Sequence, residues 1–477
     1  MEEQQIEILA SSLLIQENQR EVGDGGQPSE SSSVTLTVVL SSLVALCASF
    51  VAGYAVGYTS PSQSAIMNDL GLSSAEYSVF GSILTIGGLL GAAWSGKIAD
   101  LAGRKGALWV TSTLCIVGWL AIIFSEGAWS LDIGRLSLGF GLGLGCYVAP
   151  VYVAEITPKD IRGGFTSFYQ LATGCGSSIA YLFGSFVNWR VLALLGAFPC
   201  LVQILGLFLI PESPRWLAKV GREKEFEAAL QRLRGQNADI FQEATEIKDY
   251  TENLKRISKD GIFHLFQKKY AWALTVGIGL MALQQFGGLN GYAFYMSSIF
   301  DSAGFPSSVG YVAVAIIQPM MGIVSVILMD KSGRRPLVMV SAAGMCLGSF
   351  LTGVSFYVQD HNQSNEVTPA MVFIGVMVFL GSYSLGMGVI PWIILSEIFP
   401  INIKGSAGSL ASMVSWIGAW FVSYSFNFLF EWSSAGVFFI YSSICCFGFI
   451  FVAKMVPETK GRTLEEIQAS VTHTALH

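Results

Sequence analysis

Apolar stretches of about 20 residues, broken by short polar or glycine-rich links, recur twelve times along the chain. The first six fall at about residues 34–58, 74–96, 107–126, 130–154, 163–185 and 189–210. Six more follow at about 269–299, 307–329, 336–357, 370–395, 405–429 and 433–456. A helix needs about 20 apolar residues to cross a bilayer core of roughly 30 Å. The pattern therefore predicts an all-α membrane protein of twelve transmembrane helices. Between the sixth and seventh runs the material changes: in Glu212–Lys269, 22 of 58 residues are charged. Phe226, Leu230 and Leu233 recur there at helical spacing, which predicts short amphipathic helices joining two groups of six. The expected organisation is an acidic tail (1–33), a six-helix bundle (34–211), a helical linker (212–268), a second bundle (269–456) and a tail (457–477). More than thirty residues precede the first run, so it does not read as a cleaved signal peptide.

Composition narrows the class. Of 477 residues, 52% are hydrophobic and 13% charged, with a mean hydropathy of +0.56; soluble domains carry roughly 25% charge. That excludes an ordinary water-soluble enzyme, and intrinsic disorder with it. The net charge of −6 resides in residues 1–33, which hold seven acids and one arginine. No basic stripe or motif for nucleic acid is present. With the N-terminus placed in the cytosol, 25 of the 27 basic residues fall on the cytosolic side, leaving Arg135 and Arg190. The positive-inside rule thus predicts two cytosolic termini and a cytosolic linker. The eight cysteines lie inside apolar runs without C-x-x-C spacing, and the four histidines are dispersed, so neither a metal nor a cofactor is expected.

The two groups of six echo one another. Asp100-Leu-Ala-Gly-Arg-Lys105 is matched by Asp330-Lys-Ser-Gly-Arg-Arg335, and Glu155-Ile-Thr-Pro158 with Arg162 by Glu397-Ile-Phe-Pro400 with Lys404. Pro211-Glu212-Ser213 is matched by Pro457-Glu458-Thr459. Parallel repeats with a substrate site at their interface are the logic of one large class of secondary transporters. Each Gly-Arg turn can set its arginine against the glutamate of its own half. The expectation is an ionic latch on the cytosolic side, Arg104 with Glu155 and Arg334 with Glu397, within a cluster that includes Arg162, Arg215, Asp330 and Lys404.

In order along the chain stand Gly96…Asp100-x-x-Gly-Arg-Lys105, Gly134-Arg135, Pro150…Glu155…Arg162-Gly163 and Pro211-Glu-Ser-Pro-Arg-Trp-Leu217. Gln284-Gln285…Asn290, Asp330…Arg335, Pro391-Trp392 and Pro457-Glu-Thr-Lys-Gly-Arg462 complete the set. Over residues 35–467 the chain resembles the sugar porters of the major facilitator superfamily. Gly57-Tyr-Thr-Ser-Pro-Ser-Gln-Ser64 and Gly461-Arg-Thr-Leu-Glu-Glu-Ile467 give a closer likeness to the plant early-response-to-dehydration-six-like monosaccharide transporters. The resemblance implies two pseudo-symmetric six-helix halves, a monosaccharide substrate (hexose or pentose), a bilayer environment and a chain that functions as a monomer.

A sugar needs neutral donors and acceptors, and amides inside apolar runs are few. By resemblance, Gln170, Gln284, Gln285 and Asn290 fall on the family's sugar-binding positions, Gln318 on one often held by Asn, and Trp392 and Trp416 on its indoles. Ser415 stands where relatives commonly have Asn, and Ser384 where some have Glu. Gly287, Gly288 and Gly291 beside these amides predict a local unwinding of the seventh helix. Proton-linked sugar porters carry an Asp in the first helix where this chain reads Gly57-Tyr58-Thr59, which points to facilitated diffusion. A proton-coupled sugar or polyol transporter, with Glu155 or Asp132 as proton site, is the alternative, and Asp132 is expected to neighbour Arg135. A non-transporting sugar receptor is a further alternative, disfavoured by the short C-terminal tail. Leu9, Leu13 and Leu14 form an L-x-x-x-L-L pattern that in the resembling transporters directs the vacuolar membrane, the plasma membrane being the alternative. Asn362-Gln-Ser364 is a candidate glycosylation sequon.

Overall fold

The computed structural model describes residues 35–158, 162–256, 267, 270–361, 367–399 and 401–460. The leucine pattern at Leu9, Leu13 and Leu14 and the sequon at Asn362 lie outside these residues. Among the described residues the chain is helical throughout, with no strand.

The first half contains α1 (Leu36–Leu70), α2 (Ser74–Ile123), α3 (Ala128–Ile156), α4 (Arg162–Gly184) and α5 (Trp189–Leu209). The range α2 holds two helices, the second and third predicted runs, joined at a sharp kink at Gly103, where φ is 81° and ψ 172°. The linker forms α6 (Pro214–Val220), α7 (Glu223–Arg234) and α8 (Phe241–Arg256). The second half contains α9 (Ala271–Phe286), α10 (Leu289–Ser302), α11 (Ser307–Ser332), α12 (Arg334–His361) and α13 (Thr368–Ser382). A π-helical turn (Tyr383–Met387), α14 (Ile390–Ile398), α15 (Ile401–Trp432) and α16 (Ser434–Met455) complete it.

Ten segments of the described residues are long and apolar enough to cross a membrane. One of them is α2, which holds two spans; α4, whose side chains are described from Phe168 onward, is the remaining one. The twelve expected crossings are thus accounted for. Within the first half, glycines let α2 and α3 close tightly: a Cβ at Gly143 would lie 2.1 Å from the Gly88 carbonyl oxygen. The halves meet along α1 with α10, α2 with α15, and α4 with α11. We call the end carrying Arg104, Arg334 and the linker the basic end.

The linker is folded. Trp216, Leu217, Phe226, Ala229, Leu230 and Ile247 bury one another in a small core. Leu233, the third position of the predicted stripe, packs instead into the first half with Val38 and Ile156. Thr35 donates to the Leu233 carbonyl at 2.6 Å, and Arg234 reaches both Glu243 (2.6 and 2.7 Å) and the Ile156 carbonyl (2.9 Å).

Candidate functional site

Two helix breaks in the second half build the centre of the molecule. The first is at Gly287-Gly288, between α9 and α10, where Gly288 adopts φ 99°. A side chain there would be strained by that φ, and its Cβ would sit 2.5 Å from the Tyr441 ring. The second is the π turn before Pro391. Proline has no N–H and cannot close a helical bond to the carbonyl four residues back, which is that of Met387. Gln284 fills the gap, donating from Nε2 to the Met387 carbonyl at 2.6 Å and to that of Gly388 at 3.3 Å. Gln285 donates to Gln284 Oε1 (3.2 Å) and to Ser415 (2.9 Å), and accepts from Asn290 Nδ2 at 3.0 Å. Four polar side chains are thereby tied into one relay, with Gln284 and Gln285 spent largely on protein.

In front of that relay lies a cavity of about 200 Å³ between the halves. Gln170, Thr173 and Ser177 line it from α4; Asn290, Gln318 and Ser384 line it from the second half. Of the eight expected binding residues, Gln170, Asn290 and Gln318 therefore line the cavity. Gln284, Gln285 and Ser415 stand one layer behind, because the Pro391 break draws Gln284 towards the backbone. Trp392 is exposed on α14, and Trp416 packs against Gly88 of α2, so neither indole lines this cavity. Ser177 donates to Gln318 Oε1 across the halves at 3.2 Å.

Away from the basic end the cavity is sealed. Helix α10 is kinked at Tyr295 (φ −124°). The Ala293 carbonyl and the Ser297 N–H, ladder partners in an unbroken helix, both bond the first half: Tyr181 donates to Ala293 (2.9 Å) and Ser297 donates to Ser60 Oγ (2.9 Å). Ser60 Oγ also meets the Tyr311 hydroxyl at 3.0 Å, and the Tyr181 and Tyr311 rings stack at 5.7 Å. Ser297 Oγ bonds the Ser60 carbonyl (3.1 Å) and Gln63 Oε1 (3.0 Å). These residues were not singled out from the sequence, since serines and tyrosines are scattered through every run and nothing local marks those that face another helix.

Arg135 is fully buried. It donates to the Ala55 carbonyl (3.0 Å) and Thr59 Oγ1 (3.1 Å) and lies over the Phe80 and Tyr58 rings at 4.3 and 5.0 Å. The expected pairing with Asp132 does not form: the guanidinium turns towards α1, and Asp132 Oδ1 has no hydrogen-bond partner. Ring faces and carbonyls carry the charge in place of a carboxylate.

At the basic end the repeated signatures come together, with a difference. Arg104 grips Glu155 through two bonds of 2.9 Å, and Ser213 Oγ donates to the same carboxylate. The matching Arg334 reaches Glu397 once, at 3.4 Å, and Arg334 Nε, Glu397 Oε2 and Thr459 Oγ1 have no partners among the described residues. Glu212 and Glu458, recognised in sequence only as repeat markers, cap the two Gly-Arg turns. Glu212 accepts the Arg104 and Lys105 N–H groups at 3.0 Å, and Glu458 those of Arg334 and Arg335 at 3.0 and 3.1 Å. Both turns need a glycine with positive φ (Gly103 81°, Gly333 89°) so that a carboxylate can approach. Burial raises the Glu212 carboxyl above its ordinary value despite its N–H bonds. Burial acts the same way on Glu458, but four N–H groups outweigh it and lower that carboxyl. Arg215 lies apart, over the Tyr250 ring at 5.6 Å. The side chains of Arg162, Asp330 and Lys404 lie outside the described ones.

A polar cavity between two repeated six-helix halves, with arginine–glutamate clusters at one end, defines a major facilitator fold. The structure aligns with that of the proton:xylose symporter XylE bound to 6-bromo-6-deoxy-D-glucose, a major facilitator superfamily protein, at TM-score 0.75 and 24% identity, covering 92% of this chain and all of the other. The inward-open conformation of XylE from E. coli aligns at TM-score 0.76 and 25% identity over 91% of this chain and 99% of the other. The sugar (and other) transporter family model matches residues 16–470, and the chain belongs to that family. Similar Arabidopsis thaliana proteins include Sugar transporter ERD6-like 7, 53% identical over 91% of this chain and 94% of that one. Sugar transporter ESL1 is 48% identical over 97% of each. Membership makes the chain a membrane transporter and not an enzyme.

Proposed function

We propose that this chain carries a neutral monosaccharide across a membrane by alternating access, without coupling to protons. The observation that carries the reading is the cavity shared by the halves, lined from both by amides and hydroxyls: Gln170 and Ser177 on one side, Asn290, Gln318 and Ser384 on the other. Each amide offers a donor and an acceptor to sugar hydroxyls. Gln284, Gln285 and Ser415 hold Asn290 in place and become direct partners when α14 and the π turn before it move, while Trp392 and Trp416 join the site in another state of the cycle. The sugar-transporter relatives and the xylose symporter support this substrate class.

Uniport follows from Arg135. Its side-chain partner on α1 is Thr59, which does not titrate usefully, so no proton is exchanged there. The latches at Arg104–Glu155 and Arg334–Glu397 stabilise one state of the cycle, and the basic end faces the cytosol with both termini. Residues 34–211 and 269–456 move as the two bodies, the chain acts as a monomer, and Leu9, Leu13 and Leu14 direct it to the vacuolar membrane. The test is uptake of a hexose, pentose and polyol panel in a transport-deficient host, with and without an imposed pH gradient. Saturable hexose or pentose uptake indifferent to the gradient supports the reading, and no uptake by a well-expressed protein refutes it.

A further inference from the structure

A second polar recess, of about 420 Å³, opens at the end opposite the basic face. It is bounded by Gln63 and Asn68 of α1, Ser298 and Ser302 of α10, and Asn427 and Glu431 of α15, with the Phe430 ring in its wall. The sealing bonds of Ser60, Ser297 and Tyr311 separate it from the central cavity.

Two of its amides are more than nine-tenths buried yet incompletely used. Gln63 is 6% exposed, and its Oε1 accepts from Ser297 and Ser298 at 3.0 Å each while its Nε2 has no partner among the described residues. Asn427 is 7% exposed, and its Nδ2 donates to Ser78 at 2.8 Å while its Oδ1 has no partner among the described residues. The recess is thus offered a fixed donor from the first half and a fixed acceptor from the second. Serine hydroxyls, a carboxylate rim and one apolar ring surround them. Oriented amides held by their other valence, beside an aromatic face, suit a small neutral polyhydroxylated molecule.

We propose that this recess is an outer binding site for a monosaccharide, occupied while the central cavity is sealed from that end. A ligand docked there waits directly above the bonds that must break for it to enter. The ligand's class rests on the transport reading above; the existence of the site does not.

The test uses the full chain in nanodiscs. Asn68→Cys is labelled with a maleimide, and modification at position 68 is followed by peptide mass spectrometry with D-glucose, D-fructose, D-xylose or myo-inositol present. The same measurement is made with the central cavity disabled by Gln170→Ala and Asn290→Ala. At least one sugar should slow labelling in both backgrounds. Removing the Asn427 acceptor (Asn427→Ala) should weaken that protection about fivefold, the effect of one hydrogen bond. Protection that vanishes with the central-cavity substitutions, or that no sugar confers, overturns the proposal. Uptake by Asn68→Cys in proteoliposomes, with the central cavity intact, reports separately: uptake without protection removes the recess and leaves the transport reading, whereas protection without uptake does the reverse.

Discussion

Replacing Ser60 by alanine removes the hydroxyl shared by Tyr311, at 3.0 Å, and the Ser297 N–H, at 2.9 Å. Both bonds cross between the halves on the side away from the basic end, and Ser60 is fully buried. Hydrogen bonds between membrane helices average about 0.6 kcal/mol each, and neutral bonds in soluble proteins about 1 kcal/mol. Two of them give roughly 1.2–2 kcal/mol, or about an 8- to 30-fold rise in the equilibrium constant for opening that end. Hydrogen exchange reads this directly, because a protected amide exchanges in proportion to its opening constant. Amides of the last turns of α10, near Ser297–Phe300, should exchange about 8- to 30-fold faster in Ser60→Ala. Ser42→Ala supplies the control: Ser42 is 2% exposed and its hydroxyl has no partner, so its loss should leave α10 unchanged. A change below about threefold in Ser60→Ala, less than one weak bond is worth, would refute the view that these bonds seal the cavity.

Other consequences are equally direct. Arg104→Ala strands a nearly buried Glu155 and should destabilise by about 3 kcal/mol or more, whereas Arg334→Ala, which loses a 3.4 Å contact to Glu397, should cost about 1 kcal/mol; thermal melts of the two variants compare them. The lowered Glu458 carboxyl contributes stability above its ordinary value of 4.5, and that contribution is lost as pH falls through the lowered folded value. The raised Glu212 behaves oppositely, its contribution present at low pH and lost as pH rises past its folded value. At neutral pH, Glu458→Gln should therefore lower Tm more than Glu212→Gln, and the gap should close on acidification. Gly288→Ala, at φ 99° against the Tyr441 ring, should lower Tm markedly, while Gly174→Ala, with open space around it, should not.

Much of the fold was written in the periodicity, and the exceptions have physical causes. The second and third runs read as separate spans because Gly103 and its charged neighbours interrupt the apolar pattern, and the non-helical backbone of Gly103 (φ 81°, ψ 172°) does separate two helices there. The break at Gly287-Gly288 was legible because two adjacent glycines beside polar amides weaken a helix wherever it packs. The layering of the amides was not legible. Whether Gln284 faces the cavity or the backbone before α14 depends on which carbonyl is left without a donor, and that is decided by Pro391, over a hundred residues away. Arg135 was misassigned to Asp132 for a related reason: spacing along one helix says who is near, but the Thr59 hydroxyl and Ala55 carbonyl of α1 decide where the guanidinium turns. The capping roles of Glu212 and Glu458 were hidden because they depend on positive φ at Gly103 and Gly333, which sequence repeats mark without explaining.

Equilibrium exchange of radiolabelled hexose in proteoliposomes, with and without a pH gradient, addresses the central claim most directly when wild type is compared with the Gln170→Ala, Asn290→Ala double variant. The account predicts exchange in wild type that ignores the gradient and falls at least tenfold in the variant, since two cavity amides at about 1 kcal/mol or more each are removed. Undiminished exchange in the folded variant, or uphill accumulation driven by protons in wild type, would contradict it.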